Sequence, residues 1–101
     1  MKREEIKVLA AQENKSILQI AHDIVYKRRQ EKERQYGPFE EGMEKTAKIA
    51  SLITGKNIEA EDIYLILTAL KLSRESYNHK EDNLLDAVAY LGALNKYLEE
   101  K

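Results

Sequence analysis

The sequence predicts an all-α protein with a four-helix, bundle-like domain and a long N-terminal helix. Apolar residues recur at the 3.6-residue spacing of amphipathic helices over most of the 101 positions. No stretch alternates polar and apolar residues as a half-buried strand does, and the single proline follows a glycine between two helical segments. We expect a single helical domain over residues 1–101, divided into an N-terminal helical arm at 1–35 and a helical core at 36–101.

The first predicted helix covers residues 2–34, which contain no glycine or proline. Its apolar stripe slips once, and Asn14 and Ser16 at the slip both suit an N-cap, so we expect a kink near residue 14. Residues 27–34 are densely charged, which is typical of a solvated helix end. The alternative is a phosphate-facing patch that includes Lys32 and Arg34.

The second predicted helix runs over residues 38–54. Gly37 can end the preceding helix in the left-handed conformation, Pro38 suits the first turn of the next, and Gly55 ends it. Its apolar residues are expected to be buried. They are Phe39, Met43, Ala47, Ile49, Ala50, Leu52 and Ile53.

The third predicted helix, at 61–76, is apolar nearly all round, and the fourth follows it and runs to the end. Asn78 with Glu81 resembles a capping box that opens the fourth helix. Two consecutive helices with so much apolar surface are more than a lone domain of this size covers. We therefore expect a homo-oligomer, most simply a twofold dimer through the third and fourth helices.

The charge balance and the lack of cysteine limit the partners and the compartment. The chain has 17 Lys and Arg against 18 Asp and Glu, a formal net charge of −1, which argues against a nucleic-acid partner. It contains no cysteine, no apolar signal core near its start and no stretch of about 20 apolar residues. We expect a cytoplasmic protein that does not associate with a membrane.

One carboxylate, Asp86, interrupts the apolar run at 84–94 in the fourth helix. A buried carboxylate needs a donor, and Lys71 and Arg74, three residues apart on the preceding helix, are the nearest candidates. Lysine and arginine bind phosphate, and tyrosines such as Tyr36 and Tyr90 can stack on a base or donate a hydrogen bond. The same residues are also consistent with an internal salt-bridge network, which includes Asp82, so both interpretations stay open.

A second group of residues is acidic. Glu41 and Glu44 lie three apart on the second helix, and Asp82 and Asp86 lie four apart on the fourth. Two facing helices could present these four carboxylates to Mg²⁺, which usually bridges to substrate phosphates. The alternative is that the glutamates simply occupy the first turns of a helix, where acidic residues are favourable.

Residues 22–97 resemble a family of small helical proteins, found mostly in phages and prophages, that is described only as a domain of unknown function. The resemblance rests on a basic residue shortly before Tyr36-Gly37, the segment AKIASLITG, and Glu61-Asp62-Ile63. It continues with Lys71-Leu72-Ser73-Arg74 and with the segment DNLLDAVAY at 82–90.

More distantly, the layout is similar to the all-α nucleoside-triphosphate pyrophosphohydrolases of the MazG-like and dimeric dUTPase-like classes. In those enzymes, carboxylates in E-x-x-E and E-x-x-D arrangements hold magnesium over the phosphates of a nucleotide. Glu41 and Glu44 match the first arrangement, but Asn83 stands where the second would have a glutamate before Asp86. The resemblance therefore implies nucleotide binding more strongly than hydrolysis.

We expect a phage-type homo-oligomer that binds, and thereby sequesters, a nucleotide or a nucleotide-derived signal of host defence, without a cofactor. The expected ligand-binding residues are Lys32, Arg34, Tyr36, Lys71, Arg74, Asp82, Asp86 and Tyr90. One alternative is a magnesium-dependent pyrophosphohydrolase whose metal ligands are Glu41, Glu44, Asp82 and Asp86. The other is a structural or partner-binding helical oligomer.

Overall fold

The computed structural model describes residues 15–27 and 38–101, and all the regular structure in these ranges is α-helical. The helices are α1 (Ile17–Tyr26), α2 (Phe39–Thr54), α3 (Ala60–Tyr77) and α4 (Glu81–Glu100). The predicted all-α fold is thus confirmed for this part of the chain, which holds four helices and no strand. Within it, no helix combines the length and the apolarity that crossing a membrane requires.

Helix α1 begins where the apolar stripe of the sequence slips. The Ser16 hydroxyl accepts a hydrogen bond from the Gln19 backbone N–H at 3.2 Å, and the Gln19 side chain accepts one from the Ser16 N–H at 2.8 Å. This reciprocal capping box confirms Ser16 as a helix start. The predicted kink near residue 14 and the continuation of the helix to residue 34 lie outside the described residues.

The ends of α2 and α3 follow the local signals in the sequence. Gly55 ends α2 with φ of +69°, a conformation that glycine adopts without steric cost. The Ser51 hydroxyl, on the last turn of α2, accepts the Ile58 N–H at 3.0 Å and so holds the connecting loop against the helix. The Asp62 carboxylate accepts the Glu59 N–H at 2.9 Å, which caps the start of α3.

The predicted capping box at the start of α4 is wrong. The N-cap is Lys80, and Asn78 instead ends α3, where its N–H donates to the Arg74 carbonyl at 3.1 Å. The turn is organised by Glu75, whose carboxylate accepts the Lys80 N–H at 3.1 Å and also contacts the His79 ring. The spacing of Asn78 and Glu81 resembled a capping motif, but Asn78 lies two residues before the N-cap of α4 and therefore cannot cap that helix.

Helices α3 and α4 form an antiparallel central pair, with α1 packed on α4 and α2 packed on α3. The buried cluster between α1 and α4 contains Ile20, Ala21, Val25, Leu85 and Ala89. The predicted boundary at residue 35, between an N-terminal arm and a helical core of one domain, lies outside the described residues. The described part of the arm supplies three of these five core side chains because its apolar stripe faces α4.

Helix α2 buries fewer apolar residues than its composition suggested. Ala47 is buried against the rest of the domain, whereas Ile49, Leu52 and Ile53 are 57%, 84% and 79% exposed. At 100° per residue these three side chains lie opposite Ala47 on the helix. The prediction that α2 buries all of its apolar residues is thus wrong for the single chain, because only one face of the helix meets α3.

On α1, buried Asp23 is surrounded by basic side chains. Its carboxylate bonds Lys15 and lies 3.3 Å from Lys27 Nζ and 3.5 Å from His22 Nδ1. These contacts, above all the hydrogen bond from Lys15, lower the pKa of Asp23 to about 2, although its partial burial acts in the opposite direction. Asp23 and Lys27 have the i, i+4 spacing of a helical ion pair, so this interaction was detectable in the sequence.

We expect an NMR titration to find the Asp23 pKa near 2, and Lys15→Ala to raise it towards the ordinary value of about 3.9. Because the folded-state pKa is the lower one, the interaction stabilises the protein above about pH 4 and is lost as the pH falls towards 2. Lys27→Ala is the matched comparison, with a smaller upward shift. An Asp23 pKa near 3.9 in the unsubstituted protein would contradict this account.

Candidate functional site

The site begins with an ion pair between the two central helices. Lys71 Nζ on α3 lies 2.9 Å from Asp86 Oδ2 on α4, and the two side chains are only 16% and 9% exposed. The antiparallel hairpin of α3 and α4 brings these residues to the same level. The prediction that Asp86 is buried and forms an ion pair with a cation of the preceding helix is confirmed. Because both charges are largely removed from water, they interact more strongly than a surface pair does.

Tyr90 lies one helical turn after Asp86 and is half-buried. Its pKa is raised, chiefly because burial disfavours the phenolate and then because the Asp86 charge does, while the charges of Lys71 and Arg74 act in the opposite direction. All three charges therefore act on the Tyr90 phenol. Arg74, one turn beyond Lys71 on α3, is exposed, so its guanidinium is accessible to a molecule from solvent.

Asp82 lies one turn before Asp86 and is partly buried. Its Oδ1 atom is fully buried and accepts no hydrogen bond from any residue in the described ranges. The residue lies in the first turn of α4, where unpaired backbone N–H groups favour a negative charge. The structure thus aligns Asp82, Asp86 and Tyr90 along α4, beside Lys71 and Arg74 on α3. We call these five residues the α3–α4 cluster.

The two glutamates predicted to bind metal lie elsewhere. Glu44 Oε2 accepts a hydrogen bond from the Tyr97 hydroxyl at 3.1 Å, and Glu41 is exposed near the start of α2. Tyr97 follows Asp86 by eleven residues on the same helix, which corresponds to about 16 Å along its axis. The predicted four-carboxylate magnesium site is therefore not assembled. In the ranges that the structure describes, no group of three or more His, Cys, Asp or Glu residues could hold a metal ion.

The sequence did not reveal the contacts around Tyr97. Its ring lies 5.5 Å from that of Tyr64, which in turn lies 5.7 Å from Phe39, so three helices meet in one aromatic group. The pKa of Tyr97 is raised by partial burial and by its hydrogen bond to Glu44. Nearby, Lys96 Nζ lies 3.7 Å from Glu40. These are contacts between helices distant in the chain, and sequence spacing carries no signal for them.

Three of the predicted ligand-binding residues, Lys32, Arg34 and Tyr36, lie outside the described residues. Of the other five, Lys71 and Asp86 pair directly, the charges of Lys71, Arg74 and Asp86 all act on Tyr90, and Asp82 continues the row on α4. The α3–α4 cluster therefore contains every predicted ligand-binding residue in the described ranges.

The described part of the chain is thus a small all-α fold in which a basic side chain of α3 pairs with a carboxylate of α4. The chain belongs to the family described as a domain of unknown function (DUF6378), which matches residues 16–98. This match spans α1, α2 and α3 and nearly all of α4, and it confirms the resemblance to a family of unknown function. Comparisons with curated proteins and with solved structures find no match.

Proposed function

We propose that the α3–α4 cluster binds a small phosphate-bearing ligand of the nucleotide type. The observation that carries this proposal is the grouping of Lys71, Arg74, Asp86 and Tyr90 on two neighbouring helices, where Lys71 contacts Asp86 and all three charges act on Tyr90. Arg74 is exposed and donates through a planar guanidinium, which suits bidentate contact with a phosphate. Lys71 adds a second positive charge one turn away.

The remaining groups suit the sugar and the base. The Tyr90 ring offers a face for stacking, and its hydroxyl, which is protonated at neutral pH as in any ordinary tyrosine, can donate or accept a hydrogen bond. Asp82 is only partly buried, and a ribose hydroxyl would be a suitable donor for its carboxylate. Asp86 holds Lys71 in place, and its carboxylate also suits a hydroxyl donor.

This arrangement needs no metal ion, because cationic side chains can neutralise the phosphate charge directly. In the setting we propose, the protein is phage-encoded and acts in the host cytoplasm, where it sequesters a nucleotide-derived signal of host defence. Lys32, Arg34 and Tyr36 remain proposed contributors to the same ligand. The magnesium-dependent pyrophosphohydrolase is the less favoured function, since Glu44 contacts Tyr97 rather than the α3–α4 cluster.

The test is isothermal titration calorimetry of the purified chain against nucleoside mono-, di- and triphosphates and cyclic dinucleotides, with EDTA present. We expect one class to bind, and Arg74→Ala to weaken that binding by about 10- to 100-fold, the loss typical of a hydrogen bond to a charged group. The variant should unfold at nearly the same temperature as the unsubstituted chain because Arg74 is exposed.

Lys45→Ala provides the matched control, since it removes an equally charged, exposed side chain from α2 and should leave the affinity unchanged. Chromatography of the recovered nucleotide distinguishes binding from turnover. Binding that survives EDTA and leaves the nucleotide intact supports sequestration, whereas magnesium-dependent release of pyrophosphate would favour the hydrolase. If no nucleotide binds at millimolar concentration, or if Arg74→Ala binds as tightly as the unsubstituted chain, the proposal is wrong.

A second candidate is a structural or partner-binding helical protein without a small ligand. The direct 2.9 Å contact between Lys71 and Asp86 favours it, because the two charges already satisfy each other. On this hypothesis the ion pair fixes how α3 and α4 pack, and no nucleotide alters the thermal unfolding of the protein.

A further inference from the structure

One face of α3 carries no charged side chain over more than three turns. It lies on the side of α3 away from the buried residues Ala60 and Tyr64, and all of its members are exposed. They are Leu65, Ile66, Ala69, Leu70, Leu72, Ser73, Ser76 and Tyr77. We call this surface the uncharged α3 face. In a chain with 35% charged residues, a solvated helix face of this length would ordinarily carry several charges.

The large side chains of this face expose a substantial apolar area. Their exposed fractions are 49% for Leu65, 55% for Ile66, 42% for Leu70, 49% for Leu72 and 94% for Tyr77. Together they present on the order of 500 Å². Two such faces in contact would bury about 1,000 Å², the size at which specific interfaces begin. Monomeric proteins seldom expose contiguous apolar patches of more than a few hundred Å².

We propose that the uncharged α3 face is the interface through which two copies of this chain form a twofold dimer. The face offers no charge for an oppositely charged partner to complement, whereas two copies of an apolar face can bury each other. In an antiparallel pair centred on Ala69, Ile66 of one copy lies opposite Leu72 of the other, and Leu65 lies opposite Ser73. Small Ala69 at the centre permits the close approach of 8–10 Å that is typical of packed helices.

The geometry of α3 keeps this interface distinct from the α3–α4 cluster. Lys71 points towards α4, on the opposite side of α3 from Ala69, the centre of the proposed interface. The dimer therefore does not depend on the proposed nucleotide ligand, and either proposal can fail while the other holds.

The first test is the mass of the full chain in solution by light scattering or sedimentation. We expect twice the chain mass of 11.7 kDa at micromolar concentration. Ala69→Glu places two like charges at the twofold axis and should halve that mass while leaving the helical circular dichroism unchanged. Leu91→Glu is the matched control, because Leu91 is an exposed apolar residue on α4 (47%), and this variant should remain dimeric.

The second test uses the absence of cysteine from the chain. Under mild oxidation, Ala69→Cys should form a disulfide-linked dimer across the axis, because residue 69 meets its own copy there, and Leu91→Cys should not. If the unsubstituted chain has the mass of a monomer in solution, the proposal is wrong. That holds whether the face is then covered by solvent, by another protein or by other residues of the chain. An Ala69→Glu variant of unchanged mass, or equal cross-linking at positions 69 and 91, would overturn it too.

Discussion

Asp86→Ala is expected to lower the free energy of unfolding by about 3–5 kcal/mol, because it leaves the largely buried Lys71 ammonium without its carboxylate. For a domain of this size, the midpoint of thermal unfolding should fall by roughly 4–8 °C for each kcal/mol lost. Urea unfolding followed by circular dichroism measures the free energy directly. The destabilisation should be present with or without a nucleotide ligand.

Two further variants distinguish the effect of burying an ion pair from the effect of removing a charge. Glu61→Ala removes a carboxylate that lies 2.7 Å from Lys101 Nζ, but those side chains are 34% and 55% exposed, so the expected loss is about 0–1 kcal/mol. Replacing both members of the buried pair, with Lys71→Met and Asp86→Leu together, should recover most of the lost stability, because no unpaired charge remains. A loss below about 1 kcal/mol for Asp86→Ala would contradict the proposed role of the pair.

Leu85→Ala should destabilise the protein by about 2–5 kcal/mol, the range found when a fully buried leucine is cut back to alanine. Leu85 has no exposed surface and belongs to the cluster formed with Ile20, Ala21 and Val25. Part of the loss arises from lost apolar contact and part from the cavity left between α1 and α4. Chemical denaturation gives the magnitude.

Leu98→Ala is the comparison for Leu85→Ala. It makes the same chemical change on the same helix, at a side chain that is 46% exposed. Its effect should stay within about 0.5 kcal/mol, as is usual for surface substitutions. Similar losses for the two variants would mean that the core does not lie between α1 and α4.

The helix boundaries were predictable where a residue has strong local preferences. Ser16 starts α1 because its hydroxyl can satisfy a backbone N–H, and Gly55 ends α2 because it accepts a positive φ. The exposed positions of Ile49, Leu52 and Ile53 were not predictable in the same way. Apolar residues surround α2 on more than one side, so composition alone could not indicate which face meets α3.

The candidate site, too, was predictable from the sequence only in part. A lone carboxylate in an apolar run, preceded by two cations on a neighbouring helix, was enough to predict the contact between Asp86 and Lys71. The hydrogen bond between Tyr97 and Glu44 depends on how α2 is placed against the end of α4. That placement results from packing among several helices, so the spacing of the acidic residues suggested a shared carboxylate site that the fold does not assemble.

The docking of α1 on α4 also has a consequence for the order of folding. Ala21 and Leu85 are 64 positions apart in the sequence, whereas α3 and α4 are joined by only three residues. Closing the longer loop costs more chain entropy, so the helical hairpin can form early while the N-terminal helix joins late. We therefore expect Leu85 and Ala89 to be covered late in refolding, so that α1 docking would remove the apolar surface through which a refolding chain aggregates.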